Sequence, residues 1–180
     1  MLLNIDDTIC LIIDYQERLT PSINHISDII INSKKLINGL NILDIPLIVT
    51  EQYKKGLKET INDIKNISTS AKYFEKTSFS CIKDQNILDY IKNSNKKNII
   101  ICGIEAHICI LQSAIDLKDL GYNVIVVCDA IGSRKELDYN IALSRLKQEK
   151  ITLTTVESLL FELIKDSTHI KFKDISNIIK

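Results

Sequence analysis

Apolar residues along the chain fall into two alternating patterns. Short continuous runs, TICLIID (8–14), PLIVT (46–50), NIIICG (98–103), NVIVVCDA (123–130) and ITLTTV (151–156), are rich in β-branched residues. Runs of this length without polar alternation predict strands buried on both faces, as in a parallel sheet. AKYF (71–74) is a weaker strand of the same kind. In the longer stretches between them apolar residues recur three and four apart, as at Leu88 and Ile91, or at Ile108, Leu111, Ile115 and Leu120. That spacing lines one face of a helix. Thr20 and Pro21 read as the cap and first-turn proline of one helix, and Gly121 as the stop of the helix after Cys109. Further helices are predicted over 135–147, 157–165 and 173–180.

Strands alternating with helices argue for a sheet covered on both faces and joined by right-handed crossovers. The expected fold is a doubly wound, Rossmann-like α/β three-layer sandwich with a mostly parallel sheet of about six strands. At 180 residues, 45% of them hydrophobic, the chain suffices for one core, and 1–180 reads as a single domain. Ligands of such sheets bind at the carboxyl ends of the strands, near the point where strand order reverses. The first run ends at Asp14, the second leads into TEQY, AKYF into EKTSF, and the next into GIEAHIC. An acid, a lysine and a thiol thus converge on one edge. DYQERL follows the first run where a dinucleotide-binding fold would carry G-x-G-x-x-G, so no cofactor is expected.

Charge and composition narrow the functional classes. The 23 basic and 23 acidic residues cancel, leaving no field to draw the molecule onto nucleic acid or an anionic membrane, and neither is an expected partner. No apolar stretch approaches the roughly 20 residues needed to cross a bilayer. MLLNIDDTIC carries acids where a signal peptide carries positive charge, so the expected location is the cytoplasm. Thiols stay reduced there, and Cys10, Cys81, Cys102, Cys109 and Cys128 are expected to be free. Cys10, Cys102 and Cys128 fall within strand runs and read as small core hydrophobes. Cys81, in a loop, is either an exposed, oxidisable thiol or a buried one.

Cys109 lies just past a strand end, near a helix start, where backbone N–H groups and the helix dipole favour an anion and lower a thiol's pKa. It is the candidate nucleophile, with a buried structural cysteine as the alternative. Asp14 is the candidate base, or else a strand-end cap. Lys76 is the candidate charge partner, or else a solvated lysine. A zinc site built from Cys102, His107 and Cys109 lacks a fourth ligand and takes one member from a strand interior, so no metal is expected. Tyr53, Phe79 and His107 are candidate contacts for a small-molecule substrate.

Together the three segments resemble the isochorismatase-like cysteine hydrolases. LIIDYQERL is similar to the family's first strand with its catalytic aspartate, matched by Asp14. FEKTSFSC is similar to the lysine segment, matched by Lys76, and CGIEAHICILQSAIDLKDLGYNVIVVCDAIGSR to the nucleophile segment, matched by Cys109. The similarity runs on through LTTVESLLFELI and FKDISNIIK and covers nearly the whole chain. TEQYKKGL resembles the small isochorismatase domain-containing proteins more than the nicotinamidases, because Glu51 and Gln52 stand there without the histidines of a metal site. Lys54 occupies a position where proline is common, and Tyr139 one where arginine is common.

The resemblance implies a metal-independent hydrolase that cleaves an amide or related C–N bond of a small molecule. Its means would be an Asp14–Lys76–Cys109 triad and a thioester acyl-enzyme. The resemblance also implies a cis peptide between Ile104 and Glu105, an oxyanion hole from the backbone N–H groups of Glu105 and Cys109, and a homo-oligomer. Three other functions stay open: isochorismatase-type hydrolysis of a vinyl ether, which needs the aspartate but no thiol; an oligomeric binding protein that keeps the pocket without turnover; and a nucleic-acid enzyme, which the zero net charge disfavours.

Overall fold

Six strands form one sheet in the computed structural model, which describes residues 2–180. They are β1 (Thr8–Ile13), β2 (Leu47–Gln52), β3 (Lys72–Lys76), β4 (Asn98–Ile104), β5 (Asn123–Gly132) and β6 (Thr152–Thr154), in the order β3-β2-β1-β4-β5-β6. Every pairing is parallel. Strand order reverses at β1, between β2 and β4, so the carboxyl ends of β1 and β4 flank the crevice where this class of sheet takes its ligand.

The helices are α1 (Ile26–Ile42), α2 (Lys54–Leu57), α3 (Asn62–Lys65), α4 (Gln85–Asn93), α5 (Leu111–Asp119), α6 (Glu136–Gln148), α7 (Val156–Ile164) and α8 (Phe172–Ile179). One face of the sheet, with Cys10 and Ile12 of β1, packs against Leu36 and Leu40 of α1, Leu160 of α7 and Ile175 of α8. The other, with Ile9, Leu11 and Ile13, packs against Ile87 of α4, Leu117 of α5 and Leu146 of α6. Successive residues of β1 therefore point into two different cores, which is why the run is continuously apolar.

Several boundaries differ from the sequence reading. Thr20 and Pro21 open only a 3-10 turn (Thr20–Ser22), because Ile23 is extended and the Asn24 N–H is drawn to the Ser133 carbonyl; the long helix begins at Ile26. β3 runs to Lys76 rather than stopping at Phe74. Cys109 lies within a π-helical turn (Ala106–Ile110) that precedes α5.

Gly121 does follow α5, at φ +88. Gly103 has a stricter role. At its φ of +131 a Cβ would sit 2.1 Å from the Ile13 carbonyl oxygen, so only glycine lets β4 lie this close to the end of β1. Among the described residues no helix is long and apolar enough to cross a membrane.

Candidate active site

Asp14 is the first residue beyond β1. Its backbone is left-handed (φ 55), its N–H donates to the Thr50 carbonyl (3.2 Å), and its side chain is fully buried. The Thr50 hydroxyl donates to Asp14 Oδ1 (2.7 Å), and Lys76 Nζ donates to Asp14 Oδ2 (2.8 Å). Lys76, the last residue of β3, reaches across the end of β2 to do so. On the way its ammonium meets Gln52 Oε1 at 2.6 Å and the Ser78 and Phe79 carbonyls at 3.3 and 3.4 Å. Its remaining neighbour is Cys109 Sγ at 3.8 Å. The structure therefore brings Asp14, Lys76 and Cys109 into one buried cluster in which the lysine touches both of the others.

Burial sets the proton affinities here. It pushes the Asp14 carboxyl above its ordinary value, against the opposing pull of the Lys76 ammonium and the hydrogen bonds from Lys76 and Thr50. Burial also works against the Lys76 charge, but Cys81, Asp14 and Cys109 around it outweigh that and push it up. The Cys109 thiol is pushed well above its ordinary value by burial first and the Asp14 carboxylate second, with Lys76 offsetting only part. This corrects the sequence expectation of a thiol acidified by a helix start. In the π-helical turn Cys109 is 5% exposed, and desolvation dominates. The direction of this shift favours the neutral thiol at Cys109.

Glu105 joins β4 to that turn. The Ile104–Glu105 peptide is cis, and the Glu105 carbonyl accepts from the N–H groups of Ile108 and Ile110 (3.2 and 3.3 Å). Tyr53 and Phe79 are half exposed on the loops after β2 and β3, and the Tyr53 N–H donates to the Lys76 carbonyl (2.8 Å). His107 faces the connection after β5 and the start of α6, with Nδ1 2.9 Å from Ser133 Oγ and Nε2 3.9 Å from Asp138 Oδ2.

The structure decides between the two readings of Cys81 and changes that of Cys128. Cys81 is buried beside the cluster, its Sγ 3.9 Å from Thr50 Oγ1 and its thiol pushed up to about 11 by burial, which removes the exposed alternative. Cys128, read as core, is only partly buried, because β6 ends before it can cover that end of β5.

Sequence reasoning missed the groups that hold the cluster in place. Gln16 is buried. Its Oε1 accepts from the Gln52 N–H (2.7 Å), and its Nε2 donates to the carbonyls of Gln52 (3.0 Å) and Lys58 (2.7 Å). Glu51 is also buried and accepts from the Thr60 N–H (2.7 Å) and hydroxyl (2.9 Å). The only available signal was that these polar residues abut apolar strand runs. Ser80 Oγ is buried without a hydrogen-bond partner.

Among the described residues no group of three or more His, Cys, Asp or Glu is placed to hold a metal ion. Two cavities of about 300 Å³ lie elsewhere, one beside His25, Cys128 and Tyr139 and one beside Leu3, Lys118 and Tyr122.

The sequence matches the Isochorismatase domain over residues 8–158. The chain belongs to the isochorismatase family. The matched isochorismatase segment holds Asp14, Lys76, Glu105 and Cys109, and ends before α8. Isochorismatase domain-containing protein 1 of Danio rerio is 40% identical over 167 residues, which are 93% of this chain and 59% of that protein, so the chain spans under two thirds of this relative's length. A solved structure described as MAR1 ribonuclease from Caenorhabditis elegans superposes with a TM-score of 0.94 at 37% identity, covering 99% of this chain and 92% of the other. The YcaC gene product of Escherichia coli, described as an octameric hydrolase of unknown specificity, shares the fold with a TM-score of 0.89 at 22% identity, over 99% of this chain and 95% of its own.

Proposed function

We propose that this isochorismatase-family chain is a metal-independent cysteine hydrolase acting on an amide or related C–N bond of a small molecule. The observation that carries the reading is the Lys76 ammonium, which sits between the Asp14 carboxylate (2.8 Å) and the Cys109 sulfur (3.8 Å) in a buried cluster. Asp14 takes the thiol proton as Cys109 Sγ attacks the substrate carbonyl. A carboxyl whose pKa is raised is the stronger base for that transfer. Lys76 holds the charge of the carboxylate and of the sulfur as it ionises. Charge developing on the carbonyl oxygen is received by the backbone N–H groups of Glu105 and Cys109, each such donor lowering the barrier by about 2.7 to 4 kcal/mol. Protonated Asp14 gives its proton to the leaving amine, and the C–N bond breaks to leave a thioester. Water, deprotonated by Asp14, then cleaves the thioester to release the acid and restore the thiol.

The test is turnover of an amide panel by Cys109→Ala. Loss of about three orders of magnitude or more, with an unchanged melting temperature, supports the reading. A vinyl ether substrate turned over at full rate by that variant, with the rate lost only in Asp14→Asn, supports vinyl ether hydrolysis instead. The Caenorhabditis elegans relative's description as a ribonuclease favours one further reading, RNA cleavage. It is tested by RNA turnover that survives in Cys109→Ala, and the zero net charge stands against it. We further propose a homo-oligomer, supported by the octameric description of YcaC and by the exposed Leu137 and Ile141 on α6. A reducing compartment, the cytoplasm, suits the free thiols.

A further inference from the structure

We infer that Arg134 is a positioning residue for the oxyanion turn: by gripping the buried Glu105 carboxylate it fixes the backbone between β4 and the nucleophile. The inference rests on the cysteine hydrolase reading and adds a residue to it. Glu105 is where that backbone changes direction, between the strand end and the π-helical turn that carries Cys109. Its side chain is 4% exposed, so its charge has little water to satisfy it. Arg134 Nε donates to Oε1 at 2.7 Å and Nη2 to Oε2 at 3.1 Å. Two parallel bonds from a planar fork set the rotation of a carboxylate as well as its position, which one ammonium does not do. The guanidinium stays 56% exposed and keeps much of its own hydration.

The neighbouring residue braces the same turn. Ser133 Oγ meets His107 Nδ1 at 2.9 Å, and the Ser133 carbonyl is tied down by the Asn24 N–H. Gly132 pairs with Ile104 in the sheet, so the connection after β5 starts in register with the end of β4. Ser133 and Arg134 thus hold His107 and Glu105, the residues on either side of Ala106, and His107 is two residues short of Cys109. A donor N–H in the oxyanion hole acts only where the oxygen will be, and a shift of about 1 Å costs on the order of 100-fold in rate.

Two reagents separate positioning of this turn from activation of the thiol. Acyl transfer from p-nitrophenyl acetate to Cys109 builds an oxyanion, whereas alkylation of Cys109 by iodoacetamide displaces iodide and builds none. Both rates are measured by mass spectrometry on the wild type, Arg134→Gln and Arg134→Lys, alongside the melting temperature. Arg134→Gln is expected to slow acylation about 10- to 100-fold while alkylation stays within about twofold. Arg134→Lys, which keeps the charge without the fork, is expected to recover part of the loss and serves alone if the glutamine variant does not fold. Unchanged acylation overturns the inference, and so does an equal fall in both rates, which marks a general structural role. A wild type that is alkylated at Cys109 but not acylated overturns the hydrolase reading itself, and the inference with it.

Discussion

Asp14 carries two opposed effects in one side chain. Burial favours its neutral form, while Lys76 and Thr50 hold the ionised one, and burial prevails in direction. In the proposed mechanism Asp14 is the base and must be ionised, so kcat/KM should rise with pH through an apparent pKa above the ordinary carboxylate value of about 3.9. A pH–rate profile flat down to about pH 4 would contradict this. Gly103 makes a second prediction at this scale. Gly103→Ala combines a positive φ with a Cβ 2.1 Å from a carbonyl oxygen, and should cost about 3 kcal/mol or more in chemical denaturation. That Asp14, Lys76 and Cys109 meet was legible in the sequence because each follows or ends an apolar run on the same sheet edge. Gln16, Thr50, Gln52 and Arg134 were not, because which polar groups meet depends on strand register and side-chain rotamers that no local pattern encodes.

The strands end where the chemistry begins, and their ends are held by side chains rather than by further sheet. Gln16 ties the segment after β1 to the end of β2 and to Lys58, leaving buried partners unsatisfied if it is removed. Gln16→Ala should therefore lose about 1 to 3 kcal/mol and expose 53–60 to faster hydrogen exchange and proteolysis, with β1 and β4 still the slowest to exchange. Uniform exchange across these segments would argue against a local clamp. Central strands and the edge strand β6 were readable from apolar runs, but the other edge strand, β3, only in part. β3 shows one face to solvent, so its last residues, Glu75 and Lys76, look like loop in sequence although they are paired with Glu51 and Gln52. A π-helical turn has no signature distinct from an α-helix start, and the environment of Cys109 was misjudged for that reason.

Across the whole molecule, the doubly wound class follows from alternating patterns alone, and the reversal of strand order at β1 then fixes which edge holds the site. Subunit contacts leave no comparable trace. The proposed homo-oligomer is checked by light scattering, which should return a multiple of the 20.5 kDa chain mass; a single-chain mass at micromolar concentration would contradict it. Metal independence is a property of the same scale: dialysis against EDTA should leave turnover unchanged, and a loss restored by zinc would refute it. The central claim, that Cys109 carries the acyl group, is tested most directly by rapid quenching with an activated acyl donor followed by peptide mass spectrometry. The account predicts one thioester adduct, on Cys109, that forms at the burst rate and is absent in Cys109→Ala. Steady turnover with no adduct on Cys109, or an equal burst in the variant, would contradict it.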